Sequence, residues 1–181
     1  MKFSRCVSFF FLLAATALCA GAQVAPSASK SGLSLSAGAE GSMFQPDYAG
    51  QGVAQTSPFA LYGMGAYLDA RFTRWVQIEA EGRWLHWHEY AGINENTYMI
   101  GPRIPIHTFH GFTPYGKVLV GFADGSFLTG NATALAYGGG VDYQLTPHFT
   151  LRAIDFEYQQ WRVTPSIWPY GGSIGLSYKI F

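Results

Sequence analysis

One short segment carries three ionisable side chains that could act together. Residues 75–84 read W-V-Q-I-E-A-E-G-R-W, in which Gln77, Glu79, Glu81 and Arg83 alternate with Val76, Ile78, Ala80 and Trp84. A period of two places two carboxylates and a guanidinium on one face of a β-strand and only apolar groups on the other. Carboxylates and cations enclosed together can neutralise one another as a salt-bridge core, or they can line a path for ions.

The same alternation recurs along the chain and collects more charge on the polar face. With the strands drawn below, that face holds Glu40, Asp69, Arg71, Glu79, Glu81, Arg83, Arg103, Lys117, Asp142, Asp155 and Glu157, seven acids and four bases. Buried charges must find partners, so a paired core is the expected arrangement. Glu79, Arg83 and Arg103 are the residues to alter first if the protein conducts ions. Other groups carry weaker signals. His86 and His88 share a strand face beside Glu89, but zinc needs a third ligand and spacing assigns none. His107, His110 and His148 fall in turns. Ser42, Ser57, Ser126 and Ser166 fall near the same end as His86 and His88, and no motif joins them into a nucleophile and base. No catalytic residue, metal site or cofactor is therefore assigned.

Positioning these side chains requires strands, and eight can be drawn with no convincing helix. They cover residues 32–44, 59–72, 75–87, 97–106, 114–123, 132–143, 149–161 and 170–181. In the seventh, Ile154, Phe156 and Tyr158 alternate with Asp155, Glu157 and Gln159, but Arg152 falls on the apolar side, which a bulge or a snorkelling side chain would explain. Long connections at 45–58, 88–96, 124–131 and 162–169 alternate with short ones, the pattern of an up-and-down meander. An even strand count lets the last strand pair with the first and removes the open edges that lipid does not tolerate.

Composition points the same way. Of 181 residues 12% are charged and 17% aromatic, whereas a soluble surface is usually about 25–35% charged. Aromatic residues gather at strand ends, Phe72, Trp75, Phe149 and Phe181 at one rim and Phe59, Trp84, Trp161 and Trp168 at the other, as in the belts of membrane interfaces. The start is a cleavable secretory signal: Lys2 and Arg5, an apolar run from Val7 to Cys19, then Ala20-Gly21-Ala22. Residues 1–22 are read as that signal peptide, 23–31 as a flexible lead-in and 32–181 as one barrel domain. Both cysteines, Cys6 and Cys19, leave with the signal, as do two of the eleven basic residues, so the mature chain carries about two net negative charges and no basic patch for nucleic acid.

The whole pattern resembles the small OmpA/OmpX-type outer-membrane barrels of Gram-negative bacteria. The end of the chain, Ser173-x-Gly175-x-x-Tyr178-x-Ile180 followed by Phe181, is similar to the signal by which the barrel-assembly machinery recognises its clients, although Phe181 has the opposite parity to Ile180, Tyr178 and Leu176. The resemblance implies an all-β fold: an eight-stranded antiparallel transmembrane barrel in the outer membrane, monomeric and surrounded by outer-membrane lipid. It implies a structural, adhesion or envelope-integrity role, with the long loops as a contact surface for an extracellular ligand. A lipid A-modifying enzyme, a narrow ion channel and a secreted lipocalin-like carrier are the alternatives.

Overall fold

The computed structural model describes residues 32–47, 60–73, 75–87, 93–126, 128 and 130–181. The expected signal peptide and lead-in therefore lie outside the described residues, as do Ser57, Phe59, His88 and Glu89 and most of the connections 45–58 and 88–96. Eight strands follow in chain order: β1 Ser34–Gln45, β2 Leu61–Arg71, β3 Gln77–Trp87, β4 Glu95–Pro105, β5 Phe112–Gly125, β6 Ala132–Gln144, β7 Phe149–Arg162 and β8 Tyr170–Lys179. Each pairs antiparallel with its sequence neighbours, and β1 closes on β8 from Ser36↔Lys179 to Gln45↔Tyr170, so every strand has two partners. Closure satisfies the backbone groups that an open sheet would present to hydrocarbon.

The short turns show why the chain reverses where it does. Between β4 and β5, Phe109 and Phe112 exchange two backbone hydrogen bonds across His110 and Gly111, whose φ angles are 51° and 84°. Two positive φ values in sequence make the twist that joins two strands tightly, and glycine takes one at no steric cost. Thr73 and Thr146 close the other two short turns alike: Thr73 Oγ1 accepts from the Trp75 and Val76 amides, and Thr146 Oγ1 from those of His148 and Phe149.

Burial follows the alternation. Glu40, Glu79, Glu81, Arg83 and Lys117 are buried, whereas Met64, Leu68, Tyr98, Ile100, Val120 and Ile174 on the opposite parity are exposed. The molecule is polar inside and greasy outside, the inverse of a soluble domain. Arg152 is settled by a bulge: Asp142 pairs with Arg152 and Val141 with Ile154, leaving Ala153 as the extra residue, and the β8 register slips at the same place. That residue turns Arg152 into the lumen, where it is fully enclosed.

One member of the expected aromatic belt is displaced. Trp161 is not at the lipid interface; it shares the inward parity of Glu157 and Gln159, is wholly buried and donates from Nε1 to Gln159 Oε1. Phe72 and Trp75 at one rim and Trp84 at the other are exposed as expected.

Candidate functional site: a charged lumen

Inside the barrel the side chains form layers. At the short-turn end, Arg103 donates through Nη1 to Asp69 Oδ2 and Gln77 Oε1, at 3.0 and 3.1 Å, and through Nη2 to Asp142. In the middle, the Lys117 ammonium stands within 3.0 Å of four carboxylates, those of Glu79, Glu81, Asp155 and Glu157. Beside it Arg152 reaches Glu40, Glu79, Asp69 and Asp155, while Arg83 reaches Glu40, Glu81 and Glu157. Each guanidinium also lies on an aromatic ring: Arg103 on Tyr115 and Arg152 on Tyr67, both at 3.6 Å to the centroid, and Arg83 on Phe44 at 4.3 Å. Stacking fixes the planar fork while its edges serve the carboxylates.

Two glycines make room for these rings. A side chain on Gly38 would strike the Tyr67 ring, and one on Gly140 would strike the Ile154 carbonyl and approach the Tyr115 hydroxyl. The small residues of the polar face are the sockets into which its large ones fit.

Towards the long-loop end the lumen becomes mainly apolar, with Glu95, Thr97 and Gln159 as its buried polar residues. Phe44, Leu61 and Leu85 form one buried cluster, and Met99, Leu119, Ala123, Ala132, Ala134, Ala136, Trp161 and Ile167 form another. Ile167 belongs to the connection after β7. It turns back to exchange backbone hydrogen bonds with Trp161, which carries it into the barrel mouth. Ions entering from that end would meet this packed plug before the paired charges around Lys117, and a barrel of eight strands is narrow enough to be filled by its own side chains. There is no wide pore.

Ten of the eleven charged residues expected in the lumen take part in this network. The exception is Arg71. It has the inward parity, but it is the last residue of β2 and stands exposed at the mouth, with no ion pair among the described residues. Sequence reading noted Arg152 and left a bulge or snorkelling open without placing it in the lumen, and it missed Glu95, which was placed in a loop but opens β4 and is buried inside. Gln77, on the charged face as expected, and Gln159 complete the polar fill.

The other candidates among the described residues do not converge. His86 points outward and hydrogen-bonds Asn96 Oδ1 through Nε2 at 2.7 Å. Ser42 is buried in the lumen against Ser173, Ser126 Oγ accepts from the Asn94 amide, and Ser166 Oγ donates to the Val163 carbonyl. Oxygens of Glu40, Glu81 and Asp155 lie within 4.8 Å of one another, close enough to hold a metal ion. Arg83, Lys117 and Arg152 already stand against these three carboxylates, so an ion would have to displace cations that the fold has fixed in place.

Similar proteins share this architecture. Neisserial surface protein A superposes with a TM-score of 0.59 at 16% identity, over 82% of this chain and 97% of that one. The outer membrane protein OprG of Pseudomonas aeruginosa gives 0.52 at 13% identity, over 81% and 95%. Such likeness speaks for the fold. No curated protein matches the chain. The family model for the outer membrane protein beta-barrel domain matches residues 10–179, nearly the whole length. The closed eight-stranded barrel agrees with that match, and the chain belongs to the outer membrane protein beta-barrel domain family.

Proposed function

We propose that this protein is a sealed anchor: a monomeric barrel that the assembly machinery inserts through the terminal Ser173, Gly175, Tyr178, Ile180 and Phe181 segment, with its long connections facing outward as a contact surface. The observation that carries this reading is the double closure of the lumen, by the paired charges around Lys117 and by the apolar plug around Trp161 and Ile167. A filled cylinder has no transport path, so interaction is left to its ends. The connections at 46–60, 88–94 and 163–169 are the longest stretches between strands and open at the same end as 126–131, and a rigid scaffold with variable loops is the usual arrangement of a binding surface. Adhesion and envelope integrity both fit that arrangement, and no reaction is assigned.

Planar-bilayer recording of the refolded full chain tests the sealed lumen. Silence is expected, and steady conductance that changes with Arg83→Gln or Glu79→Gln would replace the anchor with a channel. Biotin–maleimide labelling of intact cells carrying a cysteine in place of Ser166 tests orientation; labelling is expected there and not at a cysteine in place of Thr108.

A further inference from the structure

The short-turn mouth of the barrel holds a cavity of about 240 Å³ that the sealed-anchor reading does not use. Arg71, Lys179, Ser34, Ser36, Thr150 and Ser177 line its entrance, while Arg103 and Tyr115 form its floor. In a packed interior this is a large space; a water molecule takes roughly 30 Å³ of liquid, so the cavity could hold several.

Its charges are unevenly matched. The two carboxylates that also line the cavity, Asp69 and Asp142, are both engaged by Arg103 in the floor, and Asp69 by Arg152 as well. Arg71 and Lys179 are left without an ion pair among the described residues, although both have the inward parity of their strands. The register explains why they face one opening. Ser34 pairs with Arg71 and Ser36 with Lys179, so the two cations flank β1, on strands that lie about 10 Å apart across it. Two long cationic side chains attached at that spacing and lining one cavity are within reach of a group a few ångströms across, and Ser34 and Ser36 lie between their points of attachment. The Tyr115 hydroxyl, buried at the floor, has no hydrogen-bond partner.

We propose that this mouth binds a phosphate-type oxyanion, held by Arg71 and Lys179 with hydroxyl donors between them. A guanidinium and an ammonium offer complementary donors to such a group, one planar and one point-like. The anion could be free phosphate or the headgroup of an anionic phospholipid bent over the rim. Both carry the same phosphate oxygens.

The full-length mature chain, refolded in a neutral detergent, is titrated calorimetrically with inorganic phosphate at constant chloride. Saturable binding is expected, weakened about tenfold or more in the Arg71→Gln/Lys179→Gln variant, and unchanged in Arg162→Gln at the opposite end. In parallel, the protein in nanodiscs with phosphatidylglycerol or phosphatidylcholine is probed with spin-labelled lipid. A preference for phosphatidylglycerol that the double variant abolishes assigns the headgroup as the source; phosphate binding without that preference assigns the free ion. The proposal is overturned if neither arm shows binding, or if the double variant and the wild type bind alike. Heat-modified gel mobility shows that each variant is folded. Should the double variant fail to fold, loss of the wild-type affinity in 0.5 M sodium chloride serves the same purpose, and salt-insensitive binding overturns the proposal. Neither arm depends on which end of the barrel faces the cell.

Discussion

Replacing Lys117 by methionine removes the positive charge around which the central layer is built while keeping most of its volume. The ammonium contacts Glu79, Glu81, Asp155 and Glu157, and all five side chains are essentially sealed from solvent. Arg152 would still serve Glu79 and Asp155, and Arg83 would still serve Glu81 and Glu157, so no carboxylate is left wholly alone. What is lost is the charge the four share. Removing one partner of a buried ion pair costs about 3–5 kcal/mol, and the surviving guanidinium contacts place Lys117→Met at the lower end, about 3 kcal/mol. Urea unfolding of the barrel in vesicles, followed by gel mobility and tryptophan fluorescence, measures the loss. A second substitution sharpens the argument: adding Glu81→Gln to Lys117→Met removes a carboxylate that the lysine had neutralised, so the double variant should recover part of the stability. The coupling is expected to exceed about 1 kcal/mol, as for residues of one network. If Lys117→Met costs less than about 1 kcal/mol, the value for an exposed pair, the lumen is wet and the sealed-core argument fails.

Further substitutions test other parts of the same reasoning. Gly38→Val drives a side chain into the Tyr67 ring and should destabilise the barrel by about 1–3 kcal/mol, whereas Gly41→Ala enters open space and should be nearly neutral in the same unfolding assay. Ile100→Arg places a charge on the lipid face within the span of β4 and should cost about 2–4 kcal/mol, against about 0–1 for Ile106→Arg just beyond the strand end; equal costs would mean that this face does not meet hydrocarbon. Deleting Ala153 removes only the bulged residue and leaves Arg152, Ile154 and Asp155 in regular alternation, so the deleted chain should still refold to the heat-modifiable form. Deleting Phe156 instead reverses the parity of half of β7 and should prevent folding.

How much of this was legible in the sequence depended on whether a residue's neighbours fixed its parity. Strand β3 was unambiguous because Glu79, Glu81 and Arg83 alternate with Ile78, Ala80 and Trp84, and a one-residue slip would put every charge into lipid. Arg152 was not, because parity counts residues and a bulge changes the count. Only its partners' register, Asp142 on one side and Gly175 on the other, shows that the chain takes one extra step at Ala153. Glu95 was hidden differently. It opens its strand behind a polar connection, and nothing in the residues before it separates a loop carboxylate from one that enters the barrel.

Trp161 shows the limit of reading by residue type. A tryptophan at a strand end invites assignment to the membrane interface, yet β7 alternation gives it the inward direction of Glu157 and Gln159, and the alternation prevails. Its burial has a consequence for function that the ring's identity alone would not suggest. Turned inward, the indole joins Met99, Leu119 and Ile167 in the apolar plug that closes the long-loop end. The charges conspicuous in the sequence occupy the middle and the short-turn end of the lumen, and Glu95 is the buried carboxylate that stands at the long-loop end among the described residues. The barrel is therefore closed by two physically different seals in series. Ion pairing gives way when charges are screened or protonated, whereas apolar packing gives way to neither. A change in salt or acidity that loosened the network around Lys117 would still leave the seal at Trp161 and Ile167 in place, so loosening the charges alone would not open this barrel from end to end.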